Sequence, residues 1–123
     1  MEAREYLKQI EICQQRFDTV SSELVFLESL IQQKIDEDLK KNLKRKREEY
    51  SKAAAEYARM RTEVIDRIHE INDIDLERVL VLRYVNLMKF ENIADKLSYS
   101  YDYIRHKHQK ALDAFEKIIN NKP

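Results

Sequence analysis

The stretch LERVLVLRYVNLMKFENIADKLSYSYDYIRHKHQKAL, residues 76–112, decides the fold, because three apolar patterns follow one another in it at the spacing of a helix-turn-helix unit. In its middle segment Phe90, Ile93, Ala94 and Leu97 recur at i, i+3, i+4 and i+7. They therefore share one helical face, with small Ala94 where two helices can approach closely. Ser98 and Tyr99 form a short link, and Ser100 is a good N-cap, its hydroxyl able to accept an orphan backbone N–H of the next helix. Asp102 adds favourable charge to that first turn. The following helix aligns Ile104, His108, Ala111, Phe115 and Ile118 on one stripe and leaves Asp102, Tyr103, Arg105, His106, Gln109 and Lys110 outside. A polar, cationic and aromatic helix face, held by a preceding helix, has the chemistry to enter a DNA major groove and meet base edges.

Working outward, Leu76 to Leu87 is apolar on nearly every side through Val79, Leu80, Val81, Leu82, Tyr84 and Val85, so a single helix there demands burial on several faces. Asp73-Ile74-Asp75 reads as the hinge before it, with Asp73 or Asp75 as the cap. Upstream, Tyr6, Ile10, Cys13, Phe17, Val20, Leu24, Leu27 and Ile31 alternate in steps of four and three, which is a heptad seam. The seam meets Lys34 and Asp38 where apolar residues are due, and resumes as Tyr50, Ala53, Tyr57, Met60, Val64, Ile68 and Ile71. Two seams of similar length flank a break near Lys34 to Asn42, so an antiparallel hairpin with Asp36 or Asp38 as the second N-cap is the preferred reading. Its rival is one unbroken helix from Arg4 to Asn72, roughly 100 Å long at 1.5 Å per residue and paired with a second chain.

Composition points the same way. The 123 residues contain no glycine, and the single proline is Pro123. Hairpin turns and phosphate-cradling loops need glycine, so sheet folds and P-loop or Rossmann enzymes are poor candidates. The expected architecture is all-α: a coiled-coil or oligomerisation region over residues 1–72 and a DNA-binding unit over 73–123. The N-terminus opens with charges and leads into no apolar run long enough for a signal peptide or membrane span, which sets the expectation of a cytoplasmic protein without a membrane partner. One cysteine, Cys13, allows no internal disulfide, and its seam position makes it a packing residue. His106 and His108 are two apart and point in different directions, which spoils them as a metal pair. The reading therefore assigns no cofactor, no metal and no catalytic residue. Formal net charge is +0, so nucleic-acid affinity has to come from local patches. The basic run Lys40, Lys41, Lys44, Arg45, Lys46 and Arg47 is one such patch, open to two readings: a phosphate grip, or a solvated tip bracketed by Asp36, Glu37, Asp38, Glu48 and Glu49.

Through Arg78, Leu82-Arg83-Tyr84, Ile93-Ala94, Leu97, Ser100, Ile104 and Ala111-Leu112, the segment resembles region 4 of bacterial sigma-70 factors. Together with Glu5-Tyr6-Leu7 and Ile10 opening a long helical region, the chain resembles small phage and prophage regulators of that type, similar in layout to late-gene transcription activators. Ser98 stands where the turn of that family usually carries glycine, and Lys89 where a capping threonine or serine is usual. The resemblance implies a three-helix DNA-binding unit, promoter recognition, contact with RNA polymerase and a place in the bacterial host cytoplasm. The residues expected to meet base edges are Asp102, Arg105, His106 and Gln109, since arginine pairs bidentately with guanine and glutamine with adenine. Those expected at the DNA backbone are Lys89, Ser100, Tyr103, Lys107 and Lys110. The expected assembly is a homodimer on double-stranded DNA. Two other classes fit the same layout: a DNA-packaging protein resembling a phage terminase small subunit, and a coiled-coil adaptor that binds protein.

Overall fold

The computed structural model describes residues 2–120, so Met1 and residues 121–123, Pro123 among them, lie outside the described residues. Helix α1 spans Ala3–Ile31, α2 Glu37–His69, α3 Ile74–Leu80, α4 Phe90–Leu97 and α5 Tyr101–Asn120. A π turn, Val81–Val85, continues α3. The described residues contain no strand.

Helices α1 and α2 fold back on each other. Cys13 Sγ lies 3.9 Å from Met60 Sδ near the base, and Arg47 Nη1 lies 2.8 Å from Glu28 Oε1 near the tip, so the two helices run antiparallel. The unbroken helix from Arg4 to Asn72 is thus not what the chain forms. The break falls at residues 32–36, earlier than the expected stretch that reached Asn42, and α2 is already helical at Glu37. Acid decides this start: Asp36, Glu37 and Asp38 gather at the positive end of the α2 dipole. Asp36 occupies the N-cap position, although its side chain makes no capping bond. Asp73 does cap α3, accepting a hydrogen bond from the Leu76 N–H at 3.3 Å.

Two apolar clusters organise the chain. The larger joins Ala3, Leu7 and Ile10 of α1 and Val64 and Ile68 of α2 to Leu76, Leu80, Tyr84, Val85, Ala111, Leu112 and Phe115. It clamps the base of the helical hairpin onto α3, the π turn and α5. The smaller, Val79, Leu82, Ile93, Ala94 and Ile104 with Met88, Phe90 and Leu97 against it, fixes α4 between the π turn and α5. Beyond the base the hairpin is a bare two-helix arm, where the seam residues Cys13, Phe17, Val20, Leu24, Tyr50 and Tyr57 are half-buried and Leu27 and Ile31, near the tip, are buried.

The apolar run from Leu76 to Leu87 departs from a single helix. It serves both clusters at once, with Leu76, Leu80, Tyr84 and Val85 in one and Val79 and Leu82 in the other. Within it, Val81–Val85 form the wider π turn. The wider turn closes through Asn86 N–H to Val81 C=O at 2.9 Å, and the chain leaves it through Leu87 in the left-handed region at φ 58°. Arg83 donates to the Met88 carbonyl at 3.3 Å and so ties down the exit.

This layout sets unequal costs for removing an aromatic ring. Phe115 is fully buried at the hinge of the larger cluster, so Phe115→Ala should cost about 3–5 kcal/mol. Phe17, half-buried on the arm, should cost about 1 kcal/mol when cut to alanine. Urea denaturation followed by circular dichroism measures both, and equal losses would contradict the division into clamped base and bare arm.

Candidate nucleic-acid interface

The link between α4 and α5 is three residues long, and its geometry fixes how the two helices meet. Ser98 takes the left-handed conformation, φ 61° and ψ 41°, at the end of α4. The Ser98 N–H donates to Asp95 C=O at 3.3 Å and the Tyr99 N–H to Ala94 C=O at 3.0 Å, a closure that usually selects glycine. Serine fills the position at a cost of about 1 kcal/mol. Two residues on, the Ser100 hydroxyl accepts the Tyr103 N–H at 3.1 Å and caps α5.

Helix α5 then buries Ile104, His108, Ala111, Leu112 and Phe115, while Ile118 is half-buried. Asp102, Tyr103, Arg105, His106, Gln109 and Lys110 are exposed on the opposite face, and Lys107 is half-buried beside them. Below this face lies His108, the one polar side chain in the buried class among the described residues. Its Nε2 shares a hydrogen bond with the Tyr84 hydroxyl at 2.8 Å, and its ring meets the edge of Phe90 at 4.8 Å. Burial, helped by the positive charges of Arg4, Arg83 and Arg105, pushes the His108 pKa down to about 4, so the imidazole is neutral. Burial also raises Tyr84 above its ordinary value.

Phe90 carries a further consequence. Arg83 and Arg105 both lie with their guanidinium carbon 5.1 Å from its ring centroid, and Arg105 also donates to the Tyr101 hydroxyl at 3.0 Å. The Arg105 side chain is therefore pre-oriented at the front of α5 although it is exposed. Nearby, the rings of Tyr99 and Tyr103 pack with centroids 4.4 Å apart at a tilt of 35°, and Lys107 Nζ sits 5.4 Å from the ring centroid of Tyr103. Gln109 is tied at both ends, donating to Asp113 at 3.2 Å and accepting from Arg4 at 3.4 Å. The side chains of Asp102, His106 and Lys110 make no hydrogen bond or ion pair with other described residues. Lys89 is exposed just before α4 and makes no capping bond.

Arg105, His106 and Gln109 thus share one exposed face with Asp102, Tyr103 and Lys110, whereas Lys89 projects from the start of the neighbouring helix. Sequence reading did not find Phe90 as the platform for Arg105, nor Arg4 as the partner of Gln109. The first reads only as a core residue at helical spacing, and the second is 105 positions away. Acidic side chains are close by as well: Glu91 and Asp95 line a shallow concavity with Ala94, Tyr99, Ser100 and Tyr101. Among the described residues no group of three or more His, Cys, Asp or Glu side chains could hold a metal ion, and no helix is long and apolar enough to cross a membrane. Comparison with models of known protein families, with curated proteins and with solved structures returned no match.

The buried imidazole makes a pH prediction. Below its ordinary pKa of 6.5 the unfolded chain takes up a proton that folded His108 refuses until about pH 4, so stability falls as pH drops through that window and is unaffected above it. His108→Gln keeps a hydrogen-bond partner for Tyr84 and does not titrate. Denaturation midpoints at pH 7.5 and 5 should therefore fall further apart in the parent than in the variant; equal losses would contradict a neutral, buried His108.

Proposed function

We propose that this chain is a sequence-specific double-stranded DNA-binding regulator of transcription, in which α4 and α5 form a helix-turn-helix and α5 is the recognition helix. The observation that carries the reading is the pre-ordered Arg105 on the solvent-facing, polar side of α5. Two aromatic side chains orient its fork, which lowers the entropy lost when it engages a base edge bidentately. Arg105, His106, Asp102 and Gln109 take the base edges, and Gln109 exchanges its contacts with Arg4 and Asp113 for an adenine. Lys110, Lys107, Tyr103 and Lys89 take phosphates or the sugar edge. The Ser100 hydroxyl is spent as the α5 cap, so its contribution to the backbone is to set the angle at which α5 leaves the turn.

Support also comes from the resemblance to sigma-70 region 4, whose pattern runs through the buried Leu82, Tyr84, Ile93, Ala94, Ile104, Ala111 and Leu112. On that resemblance rest the phage or prophage setting, the bacterial cytoplasm and contact with RNA polymerase. The reading includes a homodimer, with the helical hairpin as its coiled-coil oligomerisation region, and no catalytic step. Near-zero net charge fits a protein whose affinity is concentrated in one face rather than spread over a basic surface.

Two substitutions separate the roles. Arg105→Ala should cost about 1 to 3 kcal/mol on the preferred duplex and relax discrimination at one base pair. Lys110→Ala should weaken binding almost equally on all sequences and reduce the slope of log K against log salt by about one. Fluorescence anisotropy titrations at several salt concentrations read both. Folded variants that bind as tightly as the parent, with unchanged slope, would remove α5 as the recognition helix.

A further inference from the structure

The arm beyond the base has no third element to complete its burial. Its seam is half-open from Cys13 to Leu24, and Val25, 73% exposed, is the most exposed of its large apolar side chains. The ion pair between Glu28 and Arg47 marks one flank of the arm. Val25 and Ser21 stand three and seven residues before Glu28 and so lie on that flank, as do Lys40, Lys44 and Ser51, seven and three before and four after Arg47. Asp18 lies one heptad before Val25.

Charge is divided between the two helices. Along the arm α1 has three carboxylates, Asp18, Glu23 and Glu28, against the single cation Arg16. Over residues 37–60 α2 has eight cations against five carboxylates, and the marked flank of α2 presents Lys40, Lys44 and Arg47. A second copy can meet this flank with its two-fold axis either along the arm or across it. An axis across the arm lays α1 on α1 and basic α2 on basic α2, which is repulsive. An axis along the arm lays acidic α1 on basic α2 twice over.

We infer that two copies pair through the Glu28–Arg47 flank of their arms, side by side and in the same direction, with α1 of each against α2 of the other in a four-helix arrangement. Val25 then enters the partner arm near the level of Ser51, and both α5 helices lie at the same end of the dimer, the disposition that a two-fold repeated DNA site requires. This deepens the homodimer of the proposed function and rests on it. It is read without DNA, so failure of pairing and failure of DNA reading come out separately.

The full chain should sediment at twice its 14.9 kDa mass, more weakly associated at high salt. Val25→Lys should sediment as a monomer while its helical circular dichroism is unchanged. In a Cys13→Ser background, Val25→Cys protein mixed with Ser51→Cys protein should give a disulfide-linked mixed dimer on mild oxidation, and Val25→Cys protein alone should give none. A monomeric parent, or cross-linking of Val25→Cys protein to itself with none in the mixture, would overturn the arrangement.

Discussion

The interaction on which the functional end of the molecule depends is the buried hydrogen bond between the Tyr84 hydroxyl and the His108 imidazole. It joins the π turn to the underside of α5, and burial favours the neutral form of both groups. The same imidazole seats Phe90, the first residue of α4, and Phe90 in turn carries the guanidinium of Arg105 on the outer face. One buried polar pair thus connects the π turn, α4 and α5 beneath an exposed arginine. Among the described residues no buried polar side-chain atom is left without a hydrogen-bond partner.

The rest of the chain is organised by a contrast in burial. At the base, Leu7, Val64, Ile68 and Phe115 are fully enclosed because five segments converge there. Along the arm the same heptad pattern has only one neighbouring helix and is half-open from Cys13 to Leu24, closing again at Leu27 and Ile31 near the tip. A two-helix layer encloses its seam only in part, so the pattern that is a core at the base is half-exposed along the middle of the arm. The division suits the proposed roles, with rigidity under the DNA-facing helix and an associating surface on the arm.

The sequence made the helical class and most of this packing legible. The stripe Ile104, His108, Ala111 and Phe115 is buried, and His108 is a satisfied core histidine, because a four-and-three spacing on a twenty-residue helix leaves little freedom. The turn at Ser98 and the cap at Ser100 were legible for the same local reason. What was not legible depends on long-range competition. The run Leu76 to Leu87 serves two different clusters and contains a π turn, which no window of that length reveals. Asp36 sits at the start of α2 without making the capping bond its residue type suggests, since α2 begins on charge alone. The early break at residues 32–36 hides in sequence behind a chain without glycine or internal proline. Aromatic support of Arg105 needs the angle between α4 and α5, and that angle is a property of the packed core.

The central claim is that the outer face of α5 reads DNA sequence. Selection of binding sites from a pool of random duplexes by the full-length protein tests it most directly. The account predicts enrichment of one motif containing a guanine whose replacement matters to the parent and not to a chain lacking Arg105. A pool that emerges without an enriched motif, from a protein that is folded and active in pairing, would contradict it.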